Sequence, residues 1–474
     1  MKTKAFKTLA LLLCLVLFCC LAPAALAEDA GIVFSSGLTV IEMEAFCGDA
    51  GITTVTIPVS VTVIGDGAFA ECSNLLEVHY AGTEAQWKRI TVGSGNDPLL
   101  YAAFTFGDES RRVPLSDRYF PDEDFRSYLD TFDTDSDGFF SQAELDAVTA
   151  IECYGSQDAP TNIQSLKGIE FFPKLKTLVF NFGQVSEIDL SGNPALENLY
   201  FRNNQITELD LTGLSSLRAL NAGYNRLKEL DVSDCPALKL LYVYGNELTK
   251  LDVSHNPSLE TLACFECLLT ELDVSQNPAL KSLYARNNKL TKLDVSQNPS
   301  LETLACNYNP LTSLNVRNCT GLKHLFTFSS YLTSLDLSQN TALLELNVNS
   351  SQLSALDVSA CPLLETLGCE NNNLSTLNLQ NNTALTDLNV CNNRLTSLDV
   401  SRAPGLFRLW IQGNSIESID ISACRIIVDA VRNGTLEMFG NFIRYRLGDG
   451  PYPGTSYNYN FQCDAATTVI LPIA

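Results

Sequence analysis

One short stretch carries the most specific chemistry in the chain. DTDSDGFFSQAE, residues 133–144, sets Asp133, Asp135 and Asp137 at its first, third and fifth positions. Gly138 at the sixth allows a sharp turn, Phe139 offers its carbonyl oxygen at the seventh, and Ser141 would act through a water at the ninth. Glu144 at the twelfth closes the shell with both carboxylate oxygens. An all-oxygen set of this kind suits a hard cation, Ca2+ above all. An acidic surface turn without metal accounts for the acids, but weighs little against the whole motif.

A loop of this kind must be held by a helix on each side. Phe125, Tyr128, Leu129 and Phe132 share one face of an entering helix, and Leu145 with Val148 begin an exiting one. The stretch resembles the EF-hand calcium loop. Sensors and dockerin-type modules of that family normally pair two loops, whereas this chain has one. The expectation is therefore a structural calcium clamp within a small cap of residues 118–150, at the N-terminal end of the long segment from residue 151 on.

That long segment is a repeat. L-x-x-L pairs begin at Leu175 and recur at Leu196, Leu217, Leu238, Leu259, Leu280, Leu301, Leu322, Leu343, Leu364, Leu385 and Leu406, without an insertion. The frame is L-x-x-L-x-φ-x-x-N-x-L-T-x-L-D-V-S-x-N-P-x, with φ a small or medium apolar residue. A unit of this size cannot bury its own apolar face, so a fixed period means a stacked solenoid. The L-x-x-L-x-φ-x-x-N-x-L segment resembles the leucine-rich repeat, and the LTxLDVSxNP variant is similar to bacterial internalin-like surface proteins. That resemblance spans residues 151–424. It implies an α/β-type, mostly parallel-β, right-handed coil with a sheet on one face. Strand alternation agrees, putting the leucine and φ inward and the residue between them outward.

Three further files run through the frame. Asn204, Asn225, Asn246, Asn288, Asn309, Asn372, Asn393 and Asn414 share one position, and Asn193, Asn256, Asn277, Asn298, Asn340 and Asn382 another. Inward amides can satisfy backbone groups that tight turns leave unpaired. Cys267 stands in the first file, and Cys235, Cys319, Cys361 and Cys424 in the second. Equivalent cysteines lie two or more coils apart, about 10 Å or more at a strand spacing of about 4.8 Å, beyond the Cα separation of about 7 Å that a disulfide tolerates. Free, buried thiols are expected, including the Cys264–Cys267 pair, which reads as core rather than as a metal or redox motif. Asp189, Asp210, Asp231, Asp252, Asp273, Asp294, Asp336, Asp357, Asp399 and Asp420 form the third file, which must face outward as a solvated, turn-forming ladder.

An N-terminal segment repeats differently. Ile41, Ala45-Phe46, Ile52, Val55 and Ile57 return as Ile64, Ala68-Phe69, Leu75, Val78 and Tyr80. TIPVSVTVIGDGAFAECSNLLEVHY resembles the BspA-type leucine-rich repeat, whose members are commonly bacterial surface proteins. YAGTEAQWKRITVGSGNDPL departs from the pattern and reads as a terminating cap. A BspA-type domain with its cap is thus expected over 28–106, with a linker over 107–117.

Beyond the calcium loop, catalytic groups are scarce. His79, His255 and His324 fall in unrelated contexts, and no HExxH, GxSxG, P-loop or dinucleotide fingerprint occurs. The reading is a non-enzyme. The outward position of the main strand, by contrast, holds Tyr200, Tyr242, Tyr284, Phe326 and Trp410, and the next outward position Arg202, Tyr244, Phe265, Arg286 and Phe328. Stacked exposed aromatics form a ridge that can bury against a protein or stack on sugar rings; the alternative is that they only cover the sheet. The favoured role is adhesin-like recognition on a concave sheet, with carbohydrate or cell-wall binding on the same ridge as the alternative.

The bulk composition sets limits. The chain has 474 residues and a net charge of −23, which disfavours nucleic acid and anionic lipid as partners. Lys2, Lys4 and Lys7, an apolar run from Leu9 to Leu21 and Ala25-Leu26-Ala27 read as a secretory signal over 1–27. No later stretch is long and apolar enough to span a bilayer. A secreted protein is expected, extracellular or loosely surface-associated, a monomer with an extracellular protein or glycan ligand. Residues 425–474 leave the repeat with a short helical signal and then aromatic-rich strands, a cap for the last coil.

Overall fold

Leucines at a fixed interval fold as rungs. Asn198–Tyr200, Ala219–Asn221, Leu240–Tyr242, Thr261–Ala263 and Ser282–Tyr284 pair in parallel, each with the next, and the rungs continue through Thr303–Ala305 and His324–Phe326 to Arg408–Trp410. The central residues Leu199, Leu220, Leu241, Leu262 and Leu283 lie opposite one another and are fully buried. Each fully buried leucine contributes about 1.5–3 kcal/mol relative to exposure, so a file of them holds the coil along its whole length.

The computed structural model describes residues 31–432 and the strands 436–439, 442–445, 459–462 and 468–470. The signal-type leader 1–27 lies outside the described residues. The chain divides into two compact units. One comprises the described residues up to Tyr119 together with Arg126–Leu145, and the other Phe120–Phe125 and everything from Asp146 on.

In the larger unit the long sheet has 16 strands among the described residues. A rung at Ala150–Tyr154 precedes Thr177–Asn181, one coil ahead of the first L-x-x-L pair. At the other end the helix Arg425–Arg432 comes after the last regular coil, and Tyr459–Gln462 joins Arg408–Trp410 in parallel. The antiparallel strands Leu436–Phe439 and Phe442–Tyr445 finish the sheet.

The asparagine files explain how the turns stay satisfied. In the first, Asn288 donates Nδ2 to the carbonyls of Cys264 at 2.9 Å and Ala285 at 3.1 Å, while its Oδ1 accepts from Leu269 N–H at 3.0 Å. In the second, Asn298 donates to Val274 and Asn277 at 2.8 and 2.9 Å, but its Oδ1 has no partner. The same oxygen is unpartnered in Asn193, Asn256, Asn277, Asn340 and Asn382. A thiol can donate but accepts weakly, so cysteine replaces asparagine at little loss in the second file. Cys319 Sγ indeed lies 3.2 and 3.6 Å from the carbonyls of Val295 and Asn298, the equivalents of those that Asn298 reaches, and its single S–H donates to the nearer. Among the described residues the cysteines are free thiols, and all but Cys47 are buried. Burial pushes the Cys235, Cys306, Cys319, Cys369 and Cys424 thiols up to about 12, which leaves them unreactive.

The smaller unit is also a coil. Gly31–Val33, Thr54–Ile57 and Glu77–Tyr80 are successive parallel rungs, and Ala103–Phe106 adds a fourth. Thr91–Val92 likewise extends the second edge formed by Val40–Ile41 and Val63–Ile64. The segment expected as a terminating cap is therefore a further coil with an insertion. The insertion is the helix Glu84–Trp87, closed by a Thr83–Gln86 capping box, and Leu99, Phe104 and Phe106 keep the apolar face of this coil buried. The expected linker 107–117 contains the strand Arg111–Pro114, antiparallel to Ala103–Phe106. It is ordered because its Val113 and Pro114 are buried while Arg111 faces out.

Candidate functional site

The acidic loop lies in the smaller unit. Its strand Phe139–Ser141 pairs antiparallel with Arg111–Pro114 and completes the six-stranded sheet. This corrects the expectation of a clamp on the solenoid. A loop that normally pairs with a second loop finds its strand partner here in the edge of the N-terminal coil. Asp133, Asp135 and Asp137 bring one carboxylate oxygen each within 4.8 Å of one another. Gly138, at φ 79°, makes the turn, and its N–H donates to Asp133 Oδ2 at 2.9 Å. Loss of solvent raises the Asp135 carboxyl above its ordinary value, and the charges of Asp137, Glu144 and Asp133 act in the same direction.

Glu144 does not join that cluster. Its Oε1 accepts from the Thr134 N–H and hydroxyl, both at 2.7 Å, and its Oε2 from the Ser141 N–H and hydroxyl at 2.9 and 2.8 Å. These bonds outweigh burial and hold the carboxyl at about 2. Three of the expected ligands thus fit a hard cation as they stand, while Glu144 and Ser141 brace the loop across its ends. Phe139 is fixed from both sides, with the Arg112 guanidinium 3.3 Å from its ring centroid and the Tyr101 ring stacked at 6.3 Å. Arg112 also reaches Asp137 at 3.8 Å, placing a positive charge beside one of the acids.

The outer face of the long sheet is the second candidate. Tyr200, Asn221, Tyr242, Ala263, Tyr284, Ala305 and Phe326 succeed one another in a single file, rung opposite rung. Trp410 stands further along it, after Asn347, Gly368 and Asn389. The four rings from Tyr200 to Phe326 are half-buried and alternate with small or polar residues. Rings on alternate rungs stand about 9.6 Å apart at the usual strand spacing.

The next file is packed more tightly than alternation suggests. Tyr244 is only 9% exposed, because its ring stacks on Phe265 at 4.5 Å and meets Tyr224 edge-on at 5.2 Å. Gly223 leaves the room for it, since a Cβ there would lie 2.6 Å from the Tyr244 ring. Arg286 lies over Phe265 at 4.4 Å, and Phe328 packs against Tyr308 at 5.0 Å. Arg202 sits between the Phe182, Tyr224 and Tyr244 rings at 5.4–5.7 Å.

Phe182, Tyr224, Glu266 and Tyr308 were not singled out by the leucine frame. They occupy the position after this file, where the chain leaves the strand with φ near 55° in coil after coil. Each meets the preceding position of the next coil: Phe182 with Arg202, Tyr224 with Tyr244, Glu266 with Arg286 at 3.2 Å, Tyr308 with Phe328. These pairs recur every second coil, as do Tyr200, Tyr242, Tyr284 and Phe326. A two-coil period in side-chain type, laid over a one-coil period in backbone, is the signal that finds them.

The aspartate file lies elsewhere on the coil and makes turns. Asp210, Asp252, Asp294 and Asp399 each accept the backbone N–H two residues on, at 2.9 Å. Beside the main strands Glu260 pairs with Lys239 and Lys281, at 3.1 and 2.7 Å, and Glu302 pairs with Lys323 at 2.8 Å. Among the described residues no helix is long and apolar enough to cross a membrane.

Comparison with known proteins agrees with this geometry. The family model for the BspA type leucine rich repeat region matches residues 30–88. The functional domain of InlJ from Listeria monocytogenes, a structure described as including a cysteine ladder, is 31% identical over 66% of this chain and 74% of that one, with a TM-score of 0.58. An internalin, InlF, from Listeria monocytogenes is 25% identical over 66% of this chain and 95% of that one, with a TM-score of 0.57. No curated protein matches the chain.

Proposed function

The chain belongs to the leucine-rich-repeat proteins of internalin type, and on that premise we propose that it is an exported, adhesin-like recognition protein that holds a partner protein on the outer face of its long sheet. The observation that carries this reading is the file Tyr200, Tyr242, Tyr284 and Phe326, whose rings stand on alternate rungs with small or polar residues between them. Aromatic side chains that are half-buried before any partner arrives have little conformational freedom left to lose, and they dominate the energetics of protein interfaces. The residues between them leave recesses into which a partner's side chains fit.

A calcium ion belongs to the same proposal, held by Asp133, Asp135 and Asp137 with the Phe139 carbonyl, and its role is structural. It neutralises three crowded carboxylates in the loop that leads into the strand Phe139–Ser141, the last of the N-terminal sheet. The leader and the resemblance to surface proteins support an extracellular setting.

A second reading rests on the two-coil interval itself. Rings in a straight line at about 9.6 Å suit an extended polysaccharide whose alternate sugar units stack on them. Probing the immobilised protein against extracellular proteins and neutral glycans side by side separates the two classes. Retention of a protein that the Tyr242→Ala/Tyr284→Ala variant releases supports the first, and retention of glycans alone overturns it.

A further inference from the structure

Arg202 lines a cavity of about 470 Å³ at the beginning of the long sheet, together with Phe182, Tyr224, Asn203, Gln157 and Ser156. Ligand pockets commonly fall between about 300 and 1,000 Å³. All these residues belong to the larger unit. The cavity is not part of the aromatic file, and its own residues decide what it can bind.

The repeat supplies an internal comparison. Arg286 occupies the same place in its coil as Arg202, four coils later. Arg286 is paired at 3.2 Å with Glu266, which stands at the left-handed position of the preceding coil with φ 55°. The residue equivalent to Glu266 in front of Arg202 is Phe182, also left-handed at φ 57°. The acid that would complete the pair is therefore absent. Among the described residues no carboxylate lies within ion-pairing distance of Arg202, and its Nε is sealed from solvent without a hydrogen-bond partner. In a chain with 54 acidic and 31 basic residues, a guanidinium held among three aromatic rings with no acid beside it is an open anion site.

The rest of the lining narrows the ligand. The Gln157 and Asn203 side-chain amides have no hydrogen-bond partner among the described residues, and each presents both a donor and an acceptor. Sugar hydroxyls, which donate and accept at once, are matched by primary amides; a bare carboxylate uses donors only. Phe182 and Tyr224 add aromatic faces, on which the apolar faces of sugar rings stack. Arg offers the planar fork that a carboxylate engages with two parallel bonds.

We propose that this cavity binds an acidic sugar, a uronic-acid unit of a glycan, whose carboxylate takes at Arg202 the place that Glu266 takes at Arg286. The site reads a class of ligand different from that of the aromatic file, and it acts independently of it.

The test uses the whole protein and isothermal titration with a linear oligouronide, its neutral hexose counterpart, and a pair of short peptides with free and amidated C-termini. The oligouronide binds, and the neutral sugar binds at least ~10-fold more weakly, the loss of about one charge-assisted contact. Arg202→Met keeps the stem among the rings and loses binding. Phe182→Glu supplies the missing acid from within the chain, so it occupies Arg202 and weakens oligouronide binding by a similar factor while the melting curve is retained. Loss of oligouronide binding in Tyr242→Ala, with Arg202→Met without effect, would place the ligand on the aromatic file and overturn the proposal. Absence of oligouronide binding at millimolar concentration overturns the proposal, as does binding that survives Phe182→Glu. Binding of only the free-carboxylate peptide overturns it as well, in favour of a chain terminus as the ligand.

Discussion

Tyr224 meets Tyr244 edge-on across one coil boundary, with ring centroids 5.2 Å apart at 80°, while its own backbone stays at φ 51°. A left-handed residue with a β-carbon costs about 1–2 kcal/mol. The backbone accepts that strain because the Tyr224 N–H still reaches the Tyr244 carbonyl at 2.7 Å, extending the ladder three residues beyond the strand. The aromatic pair offsets about 0.5–1.5 kcal/mol of it.

The contribution of strain can be separated from that of contact. Tyr224→Ala loses the ring and keeps the strain, whereas Tyr224→Gly loses the ring and relieves it. The glycine variant is expected to be the more stable of the two by about 1 kcal/mol, measured by urea unfolding. Equal stabilities would show that the turn costs nothing.

The two asparagine files should tolerate cysteine differently. Asn298→Cys keeps one weak donor in place of two and gives up an oxygen that has no partner, so it leaves no buried N–H unpaired. Asn288→Cys strands the buried Leu269 N–H, which that side chain accepts at 3.0 Å. The second variant is expected to lose about 1–3 kcal/mol more than the first in the same unfolding assay. A reversed order would contradict the roles assigned to the two files.

The repeat made most of this legible in advance, because one frame repeated so often leaves a single register in which Leu199, Leu220 and Leu241 can all be buried. Tyr200, Tyr242 and Tyr284 could then be assigned to one outward file from alternation alone. Alternation failed two to three residues past the strand. There the backbone turns left-handed at Phe182, Tyr224, Glu266 and Tyr308, and Tyr244 folds down into the space left by Gly223. In the N-terminal coil the helix Glu84–Trp87 shifted the period and hid a rung at Ala103–Phe106. The loop motif named the right acids, but spacing could not tell that Glu144 would be engaged by Thr134 and Ser141.

Acid should loosen the coil in a defined window. Asp210, Asp231 and Asp357 are held below their ordinary value by hydrogen bonds from the residue two positions on. Asp336 lies at about 2, with Ser338 and Arg317 as its donors. A carboxyl whose folded pKa lies below its unfolded value stabilises above the unfolded value, and that contribution is lost as pH falls through the folded one. The melting temperature should therefore hold above about pH 4 and fall from there toward about pH 2. A melting temperature that rises over that interval would show that repulsion within the aspartate file outweighs its hydrogen bonds.

Calcium should stabilise the protein, and Arg112 should oppose its binding. Chelation is expected to lower the melting temperature. Arg112→Met removes the positive charge beside Asp137 and should tighten calcium binding several-fold, by titration calorimetry. An unchanged melt in excess chelator would count against a structural ion, and weaker binding by Arg112→Met would show that this arginine supports the loop more than it competes for it.

The most direct test of the recognition surface is the affinity of Tyr242→Ala/Tyr284→Ala for a partner protein found with the wild-type chain, measured by surface plasmon resonance beside Asp252→Ala/Asp273→Ala in the aspartate file. Two anchors of about 2 kcal/mol each predict a loss on the order of 1,000-fold in the tyrosine variant and little change in the aspartate variant. Unchanged affinity in the tyrosine variant, or a loss confined to the aspartate variant, would contradict the assignment of the aromatic file as the binding face.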